Sequence, residues 1–382
     1  VDLDLTQFKT PGQLVDALLK QRAWTNKVLA IALEIDEATV TRLISSKLAM
    51  SADRAVALEE VFGVHAEHFL ALQKSYELAQ ARIAARPDPR RAVRANVFGG
   101  LPVAELLRRG WLKHIENPKD VSQVEVALAG FFGVSSVSDI QALPHAAKKT
   151  DANFAPSLAQ LAWIHRVRQI AEDTLVPKYT PFAFKGLLEK LKPLMSAAEE
   201  TRRVPRLLME AGIRFVVVES LPSAKIDGVC FWLDESSPVI GMSLRFDRID
   251  NFWFVLRHEL EHVKNRDGLE FPLLDAELEG EKAGSSEDLP EIERLANLAA
   301  AEFGVPAKMM DAFIARKAPF FAERDVLGFA KTLGVHPGIV AGKIQHHTKR
   351  YELFRAHLVK VRHFVAPSAI VDGWGDIAPI GE

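Results

Sequence analysis

The sequence predicts an α+β chain that is mostly α, and three observations carry that expectation. The first two hundred residues repeat their apolar positions at intervals of three and four, punctuated by helix-capping residues. From Ile213 the pattern changes to short runs of Val, Ile and Phe at 213–219, 228–233 and 239–244, separated by Pro and by Asp/Ser clusters. A strongly patterned helix, FWFVLRHELEH at 252–262, follows directly. The expected order is a helical head at 1–85, a basic linker at 86–100 and a helical bridging region at 101–205. A core with a small sheet at 206–310, a C-terminal helical subdomain at 311–365 and a tail at 366–382 complete it.

The bulk properties agree with a globular protein. At 382 residues the chain can bury two or three cores, with 48% hydrophobic and 26% charged residues. A net charge of -2 provides no general basic field, so any DNA contact needs a local patch. A single cysteine, Cys230, excludes an intrachain disulfide and fits a cytoplasmic protein. The opening residues do not read as a signal peptide. No apolar run is long enough for a bilayer, so no membrane partner is expected.

In the head, an irregular arm of about ten residues precedes helices expected at 12–22, 26–33, 37–45, 52–62 and 65–84. Thr25, Asp36 and Ser51 stand at N-cap positions. Ala30 is small where two helices would cross, and Ile35, Val40 and Leu43 point inward in a helix-turn-helix arrangement. Residues 11–79, through PGQLVDALLKQ and TNKVLAIALEIDEATVTRLISS, resemble the repressor-type helix-turn-helix of HigA-like antitoxins. The resemblance implies a recognition helix at 37–45, operator DNA as a partner and a homodimer. Lys27, Thr39, Thr41, Arg42 and Lys47 are then the candidate DNA contacts. Two residues depart from the pattern. Glu34 occupies the inter-helix turn where Gly is usual, at a cost of about 1 kcal/mol if the left-handed geometry is kept. Asp36 and Glu37 open the recognition helix with negative charge, which repels phosphates. The alternative use of such a head is dimerisation or partner binding.

The linker reading rests on Pro87 and Pro89 among Arg86, Arg90, Arg91 and Arg94, a solvated basic connector. Helices are expected next at 103–109, 121–132, 157–173 and 183–192. There Trp163, Ile164, Val167, Ile170 and Ala171 form a core stripe, with His165 on the solvated side. Of the three β-type runs, 239–244 is the expected sheet edge, suited to holding an extended peptide by strand addition.

The chemistry sits in His258-Glu259-Leu260-Glu261-His262. Residues four apart share a helix face, so both imidazoles can reach one zinc ion, with Glu259 beside them as acid and base toward water. Trp253, Leu256, Leu260 and Val263 form the apolar stripe of that helix. A third ligand is needed. Asn265 and Gly268 stand where a longer pattern would place Gly and His, so a downstream carboxylate is sought. Asp275, Glu277, Glu279, Glu281 and Glu287 read as a solvated acidic loop. Glu293 lies on a helix expected at 290–303, with Asn297 one turn later to support a histidine. The competing reading makes Glu293 and Asn297 surface residues of an Ala-rich helix.

Residues 185–350 resemble the ImmA/IrrE family of zinc metallopeptidases. The carriers are FWFVLRHELEH, ERLANLAAAEFGVP at 293–306 and GVHPGIVAGKIQHH at 334–347. The resemblance implies a zincin-like domain with Zn2+ held by His258, His262 and Glu293, and Glu259 as the catalytic glutamate. Ala299 stands where that family usually has Phe. His336, His346 and Tyr351 are candidates for stabilising a developing oxyanion, by their place after the site alone. Helices at 325–333, 339–346 and 351–364 and a terminal arm are expected to close the chain.

These features point to a zinc-dependent endopeptidase fused to a repressor-like module, cleaving a regulatory protein such as a repressor or antitoxin. The alternative is a non-enzymatic DNA-binding regulator whose metallopeptidase-like domain senses a ligand or binds a partner. The intact Glu259 favours the first reading. The acidic opening of the recognition helix weakens a plain repressor.

Overall fold

The computed structural model describes residues 7–85, 88, 90–140, 148–149, 156–276 and 290–372. The chain forms two compact units, Val1–Pro89 and Arg90–Glu382. It is mostly helical, with one small mixed sheet.

The first unit is five helices: α1 (Pro11–Gln21), α2 (Asn26–Ala32), α3 (Glu37–Ile44), α4 (Ala52–Phe62) and α5 (Ala66–Ala84). The expected caps are made. Thr25 accepts from the Val28 amide, Asp36 from Thr39 and Ser51 from Arg54, each satisfying a donor the helix leaves open. Leu14, Leu29, Val40, Leu43, Leu58 and Phe69 fill the core. Ala30 is buried, and Ile35 packs against the same cluster. Glu34 holds φ 54, so the left-handed turn between α2 and α3 is kept without glycine.

The second unit starts earlier than the composition suggests. Residues 90–100, expected as linker, form α6 (Arg90–Gly100). A proline just before a helix does not stop it, and α6 buries Val97 completely. Its Arg94 makes a two-pronged ion pair with Glu125, so this cation of the basic cluster is used within the fold. Residues 86, 87 and 89 lie outside the described residues.

Next come α7 (Val103–Arg108), α8 (Val121–Phe132), α9 (Val137–Ile140), the two-residue strand β1 (Lys148–Lys149), α10 (Leu158–Glu172), α11 (Pro181–Leu191) and α12 (Val204–Glu210). The sheet continues with β2 (Arg214–Val218), β3 (Ile226–Trp232) and β4 (Pro238–Met242), followed by α13 (Ile249–Asn265) and β5 (Leu273–Ala276). Four longer helices and a short one then lead to the last strand: α14 (Glu291–Gly304), α15 (Ala307–Lys317), α16 (Glu323–Leu333), α17 (Pro337–Thr348), α18 (Arg362–Val365) and β6 (Ile370–Asp372).

The strand order is β1-β5-β3-β4-β2-β6. β2 runs parallel to β4 and β6, and β3 runs antiparallel to β4 and β5. Both faces are covered, so the strands read as apolar runs rather than as alternation with polar residues. Phe215, Val217, Cys230, Trp232, Ile240 and Met242 pack on the side of α13. Val216, Val218, Val229, Phe231 and Val239 pack on the side of α10. There the indole of Trp163 is fully buried and donates to the Val218 carbonyl.

Four expectations are corrected. The run 239–244 is not an edge: β4 lies between β3 and β2. The tail does not begin as an arm, because residues 370–372 pair with β2, and Arg166 forms an ion pair with the buried Asp372. His165 is half-buried against the rings of Phe131 and Phe132, and burial lowers its pKa. Residues 351–364 are not one helix, since Phe354 takes φ 56 and a short 3₁₀ turn separates it from α18. Residues 373–382 lie outside the described set.

Candidate metal centre

Helix α13 is enclosed along most of its length, which explains why FWFVLRHELEH is apolar on more than one side. Its end is built to serve the histidines. Arg266 takes a left-handed C-cap with φ 61, turning the chain so that Asp267 reaches back to the helix. Gly268, at φ 81, lies so close to the backbone of Cys230 that a methyl group would overlap it. The Trp232 indole donates to the Asp267 carbonyl at 2.9 Å and pins this turn to β3.

Four buried side chains converge: His258, His262, Asp275 and Glu293, with one ligand atom of each within 4.8 Å of all the others. The two Nε2 atoms are 3.0 Å apart. Glu293 Oε2 lies 3.2 Å from His258 Nε2 and 3.7 Å from His262 Nε2. Asp275 Oδ2 lies 3.3 and 3.9 Å from the same atoms. The other ring nitrogens are engaged elsewhere. His262 Nδ1 donates to Asp267 Oδ2 at 3.0 Å, and His258 Nδ1 donates to Asn297 Oδ1 at 3.1 Å. In neutral rings those bonds place the protons on Nδ1. Both Nε2 lone pairs then face one another and two carboxylates, an arrangement that calls for positive charge among them, from a metal ion or from protons on the rings. Two imidazole nitrogens about 2.0 Å from one tetrahedrally coordinated ion sit about 3.3 Å apart, near the spacing seen. The residues fit a divalent metal.

The expected ligands His258, His262 and Glu293 are thus brought together, and Asn297 supports a histidine as expected. Asp275 is a correction. Expected as a solvated loop charge, it lies on β5, fully buried. It stands opposite Gly228 of β3 in the antiparallel register. Cross-strand partners share a face, so the α13 side of the sheet carries both. At Gly228 a methyl group would overlap Glu259 Oε1, so the absent side chain leaves room for that carboxylate. The signal for Asp275 is the apolar run Leu273-Leu274 ahead of it, masked by the acids that follow. Glu277, Glu279, Glu281 and Glu287 lie outside the described residues. Asp267 was also missed. Its signal is the Arg-Asp-Gly turn that ends the helix.

The electrostatics favour positive charge at the centre. Burial works to lower the His258 pKa, but the carboxylates of Asp275 and Glu293 outweigh it and raise it to about 9. Burial likewise opposes charge on His262, but Asp267, Glu293 and Asp275 carry it up to about 10. Burial pushes Asp275 up, and the two histidines hold it well below the ordinary carboxylate range. Glu259 is fully buried, and burial together with the charge of Asp275 raises its pKa well above that of a free glutamate.

Among the described residues, neither His336 nor His346 belongs to the four-residue cluster. His336 caps α17, its Nδ1 accepting from the Gly338 amide. His346 is exposed near the end of the same helix, and Tyr351 is half-buried beyond it. In the head, Lys27, Thr41, Arg42 and Lys47 are exposed. Half-buried Thr39 donates its hydroxyl to Asp36 and accepts from Arg42 Nη2, while Thr41 donates to the Glu37 carbonyl. Three of the five candidate DNA contacts are therefore tied within their own helix. Comparison of the chain with protein-family models, with curated proteins and with solved structures found no match.

Proposed function

We propose that this chain is a zinc-dependent endopeptidase coupled to a helix-turn-helix module, acting on a regulatory protein. The observation that carries the reading is the convergence of His258, His262 and Glu293 with Glu259 next to the first histidine. The two imidazoles and one carboxylate are the donor set of a hydrolytic zinc site. When bound, zinc supplies Lewis acidity, acidifying water and drawing charge from a scissile carbonyl. Asp267 and Asn297 fix the ring orientations and tautomers that aim both Nε2 atoms inward. Glu259 accepts a proton from water as it attacks the carbonyl and delivers it to the leaving amine. A metal held for structure alone has no use for a buried carboxylate in that position. The exposed side of α3, with Lys27 and Lys47 nearby, is read as the module that places the peptidase at its target, on operator DNA or on a partner protein.

One observation favours a second reading. Counting Asp275, four protein side chains surround the centre, and closed four-ligand sites are the structural kind. The chain would then be a non-enzymatic regulator whose metal holds a ligand- or partner-binding domain together.

The test is a comparison of wild type with Glu259→Gln and His258→Ala. Purified wild type and Glu259→Gln should carry about one zinc per chain, and His258→Ala little. Mass spectrometry of new protein termini in expressing cells should show cleavages with wild type that vanish with Glu259→Gln. Metal in both proteins with no difference in termini supports the second reading. Absence of metal from wild type removes both.

A further inference from the structure

The strand β5 lies in an unexpected place. It pairs antiparallel with β3, with Val229 opposite Leu274 and Cys230 opposite Leu273. This is the flank of the sheet beside the histidine helix, where an extended polypeptide would add its backbone to reach the centre. The segment also sends a side chain inward. Asp275 is fully buried with its Oδ2 3.3 Å from His258 Nε2, so beside a bound ion it would stand where a hydrolytic site keeps a place for water and substrate. The occupancy is accommodated by the sheet itself. Gly228, opposite Asp275, leaves the space in which the Glu259 carboxylate lies, and the ladder is irregular between Ile226 and Gly228.

We propose that Asp275 is a displaceable fourth ligand and that β5 occupies the position a polypeptide substrate takes beside β3. This rests on the metal-hydrolase reading above. It reconciles the four-ligand enclosure with an intact Glu259, because the chain as folded is the self-blocked form of the site. The substrate is then an extended segment running antiparallel to β3, and its entry replaces both the backbone pairing of β5 and the carboxylate of Asp275. A folded helix or a small metabolite would not replace that pairing. Cleavage is therefore restricted to partners able to present a strand, such as an unfolded or hinge segment of a regulatory protein.

The experiment uses the full chain loaded with cobalt(II), whose visible spectrum reports ligand number and exchange. The probes are acetohydroxamate, which needs an open position on the ion, and the peptide hydroxamate Pro-Leu-Gly-NHOH. Asp275→Ala and the isosteric Asp275→Asn are compared with wild type. The expected result is one cobalt in each protein, with hydroxamate binding tighter in the variants by about tenfold or more, the scale of a changed ligand environment. Amide exchange at β5 should rise when the peptide hydroxamate binds. Equal hydroxamate binding by wild type and both variants overturns the proposal, since the fourth place would already be open. Loss of cobalt from the variants but not from wild type also overturns it, by making Asp275 a permanent ligand. Undiminished protection of β5 in the peptide complex overturns the strand exchange. Wild type that takes up no cobalt fails the underlying metal reading, a distinct outcome. Should Asp275→Ala not fold, Asp275→Asn decides the result alone.

Discussion

Gly228 of β3 lies against the carboxylate of Glu259 on α13, so close that a single added methyl group would overlap Oε1. Strand and helix are thus spaced by the missing side chain. Gly228→Ala should destabilise the second unit by about 1–3 kcal/mol, the usual cost of an overfilled core. The cause can be isolated. Combining Gly228→Ala with Glu259→Ala should recover much of the loss, giving a coupling of about 1 kcal/mol or more in a double-mutant cycle measured by denaturant unfolding. Simple additivity would place the clash elsewhere.

The histidine supports give a second prediction. Asp267 and Asn297 do not face the centre themselves; each accepts from the outer nitrogen of one imidazole. Asp267→Ala and Asn297→Ala should each weaken zinc by about 10- to 100-fold, because ring aim and tautomer are lost while the ligands remain. Competition with a chromophoric chelator measures this. His258→Ala should cost far more. Unchanged affinity in both support variants would mean that packing alone orients the rings.

The part of this site that could be read from the sequence is the part made by helices. Two histidines four apart and a glutamate four before an asparagine define faces at fixed spacing, and α13 and α14 present those faces as expected. The N-caps Thr25, Asp36 and Ser51 were legible because capping is a local hydrogen bond. Strand neighbours were not. That β4 is interior follows from its pairing with β3 on one side and β2 on the other, and β2 is in turn covered by β6 at 370–372; no local pattern encodes such pairings. Asp275 was hidden for the same reason. Its burial comes from the partner Gly228, and its own surroundings in the sequence are acidic.

The turn between α2 and α3 tests the cost of a non-glycine residue. Glu34 is exposed and holds φ 54, a conformation that disfavours a side chain by about 1 kcal/mol. Glu34→Gly should therefore stabilise the head by about that amount, less whatever the freer unfolded chain takes back. Hydrogen exchange of the α2 and α3 amides in the intact chain reads it. Slower exchange is expected, and faster exchange would show that Glu34 makes a contact worth more than its strain.

If the head binds operator DNA, the exposed Lys27 and Lys47 act through phosphate attraction. Replacing either with alanine should weaken binding to specific and unrelated DNA alike and reduce the salt slope by about 1. Arg42 is held by Thr39, and Thr39 by Asp36, so Asp36→Asn should loosen this chain and alter sequence preference more than the salt slope. A gel-shift series at two salt concentrations separates the effects. A head used for protein contacts would show no salt-sensitive binding at all.

A final prediction concerns acid stability. Glu105 on α7 bonds Arg108 and Arg109, and Arg109, itself buried, donates to the Glu219 and Ser220 carbonyls at the end of β2. The acid thus supports a cation that ties helix to sheet. Arg108 bonding, against the opposing effect of burial and with the help of Arg109, lowers the Glu105 pKa from 4.5 to about 2. A pKa depressed on folding means that the unfolded chain takes up the proton first. The stabilisation from Glu105 is therefore complete above its unfolded pKa and lost as the pH falls from about 4.5 toward about 2. Glu105→Gln removes the titrating charge. The melting temperature of wild type should exceed that of the variant at neutral pH, and the gap should narrow through that acid window. A gap that stays constant down to the lower limit would show that Glu105 acts through packing rather than through charge.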